Sequence, residues 1–128
     1  MVKRDYDWFE EKGEHFAKLP QIKISENGSF HILASFYKKY PKTKECTYIS
    51  VGFRNEEEAY VIGFFFSSDP NRPGALKIYN PKKISGAISC LSFFKKHGLD
   101  LKKIKGLYTA KDEETDKGTV YQIKVHKS

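Results

Sequence analysis

Cysteine is scarce in this chain of 128 residues: there are only two, Cys46 and Cys90. They form no C-x-x-C pair and are too few for the disulfide framework of a small secreted domain, so both read as reduced core thiols. Long apolar runs are missing as well. The longest, Tyr60 to Phe66, is far short of the ~20 residues that cross a bilayer. The opening stretch, Met1-Val2-Lys3-Arg4-Asp5-Tyr6-Asp7-Trp8, carries no apolar core of a leader. No membrane partner and a cytoplasmic location are therefore expected. Arginine is limited to Arg4, Arg54 and Arg72, which argues against base-specific reading of a major groove.

Catalytic and metal signatures are also lacking. His15, His31, His97 and His126 show neither H-x-x-x-H nor H-E-x-x-H spacing, so no metal centre is expected. No glycine-rich loop precedes a helix in a nucleotide-binding pattern. The acidic clusters Glu56 to Glu58 and Asp112 to Asp116 fall where hairpin tips are expected. Carboxylates there stay solvated with ordinary acidity, which does not suit general acid catalysis. A non-enzymatic protein without catalytic residues, metal or cofactor is the expectation.

What the chain does have is aromatic residues and a lopsided charge. Ten Phe, eight Tyr and one Trp make 15% of the sequence, enough large side chains to build one core at this length. The net charge is +7. Residues 71–105 hold Arg72, Lys77, Lys82, Lys83, Lys95, Lys96, Lys102, Lys103 and Lys105 against Asp100 alone, a net of +8. A positive field so concentrated attracts polyanions.

Periodicity divides the chain into a helical arm over residues 1–20 and a single domain over 21–128. In the arm Trp8, Phe9, Lys12, Phe16 and Leu19 recur at helical spacing, closed by Pro20. Gln21 to Ser25 and Ser29 to Leu33 read as a hairpin around Asn27-Gly28. A short helix over Ala34 to Tyr40 ends at Pro41. Thr47 to Phe53 and Tyr60 to Phe66 are rich in β-formers and make a second hairpin. Two prolines and a glycine in Ser67 to Gly74 mark a loop, followed by a strand over Ala75 to Tyr79. Ser85 to His97 reads as a helix with Ala87, Cys90, Leu91 and Phe94 on its buried side and Gly98 as its stop. Gly106 to Ala110 and Thr119 to Val125 read as a last hairpin with a charged, flexible tip. The fold class expected is α+β: a mostly antiparallel sheet of about five to seven strands, with the Ser85–His97 helix across it and an N-terminal helix at its side.

Residues 22–66, with the run Ile24-Ser25-Glu26-Asn27-Gly28-Ser29-Phe30-His31-Ile32 followed by a short helix and a hairpin, resemble AbrB-type DNA-binding domains. That resemblance implies an intertwined dimer on DNA. The return strand here lacks the proline that commonly precedes the helix in that family, and no functional residue carries over. The whole chain is also similar in its order of elements to small microbial proteins, which implies no activity.

The function expected is nucleic-acid binding on a basic surface around residues 72–105, with phosphate contacts from Lys82, Lys83, Lys95, Lys96, Lys102, Lys103 and Lys105. Tyr48, Phe53, Tyr60, Tyr79, Tyr108 and Tyr121 are the strand aromatics on which unpaired bases could stack. The competing expectation is a protein-interaction or assembly module, a homodimer joined through the aromatic arm or the last strand.

Overall fold

The computed structural model describes residues 19–81 and 84–127. Nine strands form two antiparallel sheets. The first sheet has the order β6-β2-β1-β7, with β1 Gln21–Ile24, β2 Ser29–Ile32, β6 Gly86–Ser89 and β7 Gly106–Thr109. The second has the order β5-β3-β4-β9-β8, with β3 Tyr48–Asn55, β4 Ala59–Ser67, β5 Leu76–Lys77, β8 Lys111–Thr115 and β9 Gly118–His126. Among the described residues helices are few and short: α1 Ala34–Lys39, α2 Leu91–Lys96, α3 Leu101–Ile104 and a 3-10 turn over Pro41–Glu45.

The α+β expectation of one sheet crossed by a long helix is thus corrected to a sheet-dominated fold. The expected Ser85–His97 helix is half strand. Gly86, Ile88 and Cys90 are buried while Ser89 is exposed, an alternation that satisfies β2 through the pairs Phe30↔Ile88 and Ile32↔Gly86. The helical stripe fails at Leu91, which is 44% exposed. The expected last hairpin is also corrected. β7 pairs with β1 in the first sheet, and β9 pairs with β4 and with β8. The charged segment read as a flexible tip is strand β8 itself, closed by Gly118 at φ 124°. The expected N-terminal helix, but for Leu19 and Pro20, falls outside the described residues.

The sheets pack face to face and meet at both margins. Phe30 of β2 sits edge-on to Phe64 of β4 at 5.0 Å, inside one cluster that includes Ile22, Ile24, Ile49, Ile62 and Ile123. At one margin the chain leaves β5 and Tyr79 bonds Ala87 of β6 through both backbone groups at 2.9 Å. At the other, β7 passes into β8 through Ala110, whose N–H donates to the Pro20 carbonyl at 2.8 Å. Closing both margins limits exposed strand edges. α1 covers one end of the core, with Phe36 on Phe66 and Tyr121 at 5.5 and 5.2 Å. α2 covers the other end through Phe94, 4.9 Å from Phe30.

The first hairpin depends on Gly28. Its φ of 88° follows a turn in which the Gly28 N–H donates to the Ser25 carbonyl at 3.1 Å, the three-residue loop with a left-handed last position. A Cβ there would lie 2.9 Å from the Leu91 backbone, so the same glycine lets α2 approach. Cys90 opens that helix, and burial pushes its thiol up to about 11.

Candidate nucleic-acid interface

α2 and α3 form one unit because of the turn between them. Gly98 takes φ 64°, its N–H donates to the Lys95 carbonyl at 3.2 Å, and Leu99 N–H donates to the Phe94 carbonyl at 2.9 Å. This is a Schellman termination, with Leu99 buried alongside Phe94 as the motif requires. Asp100, the only anion of the basic segment, accepts from the Lys102 backbone N–H at 3.0 Å and caps α3.

The consequence is that four of the expected cations lie on one continuous α2–turn–α3 unit. Lys95 and Lys96 end α2, Lys102 and Lys103 lie in α3, and all four are exposed. Lys105 follows α3 and reaches Glu26 of the first hairpin at 3.0 Å, so its charge is partly answered. Lys82 and Lys83 fall outside the described residues. Lys95 and Lys96 do not close a helix that runs from Ser85, because α2 begins at Leu91 and the strand β6 stands before it.

Beside these lysines lies a half-buried aromatic shelf. His97 stacks on Phe53 at 4.0 Å with rings 16° apart, and Phe53 stacks on Tyr60 at 5.7 Å. Lys127 holds its Nζ over Tyr60 at 4.9 Å, a cation–π contact. A groove of about 360 Å³ runs between Tyr60, Asp100, Lys103, His126 and Lys127. His126 and Lys127 lie beyond the segment singled out by charge density. Only the pairing of β9 with β4, which puts His126 opposite Ala59, brings them here.

The other expected stacking residues divide differently. Tyr121 packs among Phe36, Tyr40 and Phe66, and the Tyr108 hydroxyl donates to the Ile104 carbonyl. Tyr79 is 71% exposed but lies on the first sheet's margin, in a groove with His31, Ile84 and Ala87. Glu56 to Glu58 stand at the β3–β4 tip as expected and border the shelf, with the Glu58 backbone carbonyl accepting from Lys127 N–H at 3.0 Å. Asp112, Glu113 and Glu114 lie instead along β8. Among the described residues no group of three or more His, Cys, Asp or Glu is placed to hold a metal ion.

No family model, curated protein or solved structure matches this chain. Among the described residues no helix is long and apolar enough to cross a membrane.

Proposed function

We propose that this protein binds nucleic acid without catalysing a reaction, using the end of the molecule built by α2, α3 and the tail of β9. The observation that carries this reading is that exposed Lys95, Lys96, Lys102 and Lys103 lie on the unit built around the Gly98 turn, with Lys103 sharing a groove with Lys127 and Tyr60 of the Phe53–Tyr60–His97 shelf. Exposed lysines contact phosphates as point charges, and neighbouring aromatic edges accept ribose or base surface. Helices of six and four residues are too short to enter a major groove as recognition helices. Backbone contacts, which carry no sequence information, therefore dominate.

The double variant Lys95→Glu/Lys96→Glu tests the assignment. It should weaken oligonucleotide binding and reduce the salt slope by about two, while thermal unfolding stays unchanged because both side chains are solvated. Unaltered binding by a folded double variant rules this surface out. The apolar groove at Tyr79, Ile84 and Ala87 favours a second reading, an assembly module. An apolar interface of that kind would survive salt that strips nucleic acid.

A further inference from the structure

An apolar groove of about 430 Å³ lies at the β6 margin of the first sheet. Tyr79, Pro81, Ile84 and Ala87 wall it over Gly86 and His31, and no carboxylate is among its described lining residues. Tyr79 and Ile84 both stand in water, Ile84 at 59% exposure. Two large apolar side chains left open beside one groove forgo hydrophobic stabilisation that a covering group recovers.

The described chain begins beside this groove. Through the pairs Ile22↔Ile32 and Ile32↔Gly86, Gly86 stands level with Ile22, three residues past Leu19. Two strand spacings, about 10 Å, separate them. α1 touches both landmarks: Ser35 Oγ accepts from the Gln21 N–H at 3.3 Å, and a Cβ on Gly86 would lie 2.7 Å from the Tyr37 hydroxyl. Leu19 itself is 45% exposed, so the junction is apolar as well. Before it run residues 1–18, with Trp8, Phe9 and Phe16 at helical spacing. The stretch from Trp8 to Leu19 covers about 16 Å as a helix and more when extended, which exceeds the distance to the groove. Charge agrees with this placement. Residues 5–14 carry Asp5, Asp7, Glu10, Glu11 and Glu14 against Lys12, a net of −4. α1 and the 3-10 turn present exposed Lys38, Lys39, Lys42 and Lys44 against Glu45 and Asp112, the latter 3.3 Å from the Tyr40 hydroxyl.

We infer that residues 1–18 dock on their own domain and cover this groove, the aromatic side of residues 8–16 seated on Tyr79 and Ile84 and the acidic side turned to the lysines of α1. So short a tether holds the arm at high effective concentration beside the groove, which favours the same chain over a second copy. Opposite charges set the register in which the two surfaces meet. The inference is independent of nucleic-acid binding, because α2 covers the opposite end of the core from α1. It also takes this groove away from an assembly interface.

Trp8 is the only tryptophan of the chain, so its fluorescence reports the arm directly. In the 128-residue protein its emission should be blue-shifted and shielded from acrylamide relative to the urea-unfolded chain. Ile84→Glu places a charge in the groove at an exposed position, so thermal unfolding should change little while most of the shielding is lost. Trp8 as open to acrylamide in the folded parent as in urea overturns the inference. So does shielding that a folded Ile84→Glu protein keeps. Tyr79→benzoylphenylalanine gives a second readout, because it replaces an exposed ring with a photoreactive one. Irradiation should join it to residues 1–18 within a species of monomer mass. Adducts joining two chains would give the groove to a second copy, and adducts confined to the rest of the domain, or none, would leave it uncovered. Either result overturns the proposal.

Discussion

Tyr37 is the residue whose chemistry is least settled by its surroundings. It is 3% exposed, and its hydroxyl finds no hydrogen-bond partner among the described residues. Burial, and then the nearby Cys46, push its phenol up to about 12. A folded-state value above the unfolded one of about 10 means that the folded protein keeps a proton that the unfolded chain releases. The stability tied to this group is fully present below pH 10 and is lost as pH rises toward 12, on the order of 2 kcal/mol. Tyr40, Tyr108 and Tyr121 are raised in the same direction, each chiefly by burial. Tyr37→Phe removes an orphaned hydroxyl, so it should stabilise the fold by about 1 kcal/mol at neutral pH. It should also flatten the alkaline loss of stability, read by denaturant unfolding between pH 9 and 11 (roughly one unit either side of the free phenol). A destabilised Tyr37→Phe protein would mean that the hydroxyl has a partner in solution, such as a buried water.

At the scale of elements, β6 decides the architecture, and Gly86 decides β6. A Cβ at Gly86 would lie 2.7 Å from the Tyr37 hydroxyl and 2.8 Å from Ile78 Cγ2. Gly86→Ala should therefore cost about 1–3 kcal/mol. Part of that cost should disappear in the Tyr37→Phe background, a coupling that a double-mutant cycle reads directly. Additive losses would contradict the contact.

The same element shows how far the sequence was legible. The hairpins over 21–33 and 47–67, the short helix before Pro41 and the Gly98 stop follow from local signals: alternation, a glycine turn, a proline, a left-handed cap. The segment after Ser85 did not, because Ala87, Cys90, Leu91 and Phe94 fit helical spacing while Gly86, Ile88 and Cys90 fit strand spacing. Only the vacancy beside β2, a long-range fact, selects the strand. Likewise Thr119 to Val125 was legible as a strand, but its expected hairpin partner, Gly106 to Ala110, was not the one it takes. Pairing of β9 with β4 depends on registers some sixty residues apart. Among site residues, the lysines of α2 and α3 were visible as charge density. Lys127 was hidden because its neighbours come from other strands.

Across the whole molecule, charge and shape divide by position. α2, α3 and Lys127 gather cations at one end of the two-sheet core. β8 carries Asp112, Glu113 and Glu114 out along the second sheet's margin toward the turn at Asp116. The acidic tip Glu56 to Glu58 borders the basic end, and exposed Lys38, Lys39, Lys42 and Lys44 form a separate cationic group on α1 and the 3-10 turn. A polyanion should meet the lysine side and be repelled from that tip. Replacing the three glutamates is not needed to test this, because salt reports the net number of phosphates neutralised.

The most direct measurement is fluorescence anisotropy of labelled single- and double-stranded oligonucleotides at roughly 50 and 200 mM salt. With five lysines on phosphates, affinity should fall on the order of a hundredfold or more across that range, with the single strand bound more tightly than the duplex. Absence of binding at low salt, or binding that does not change with salt, would contradict the account and leave the lysines as a solvated surface.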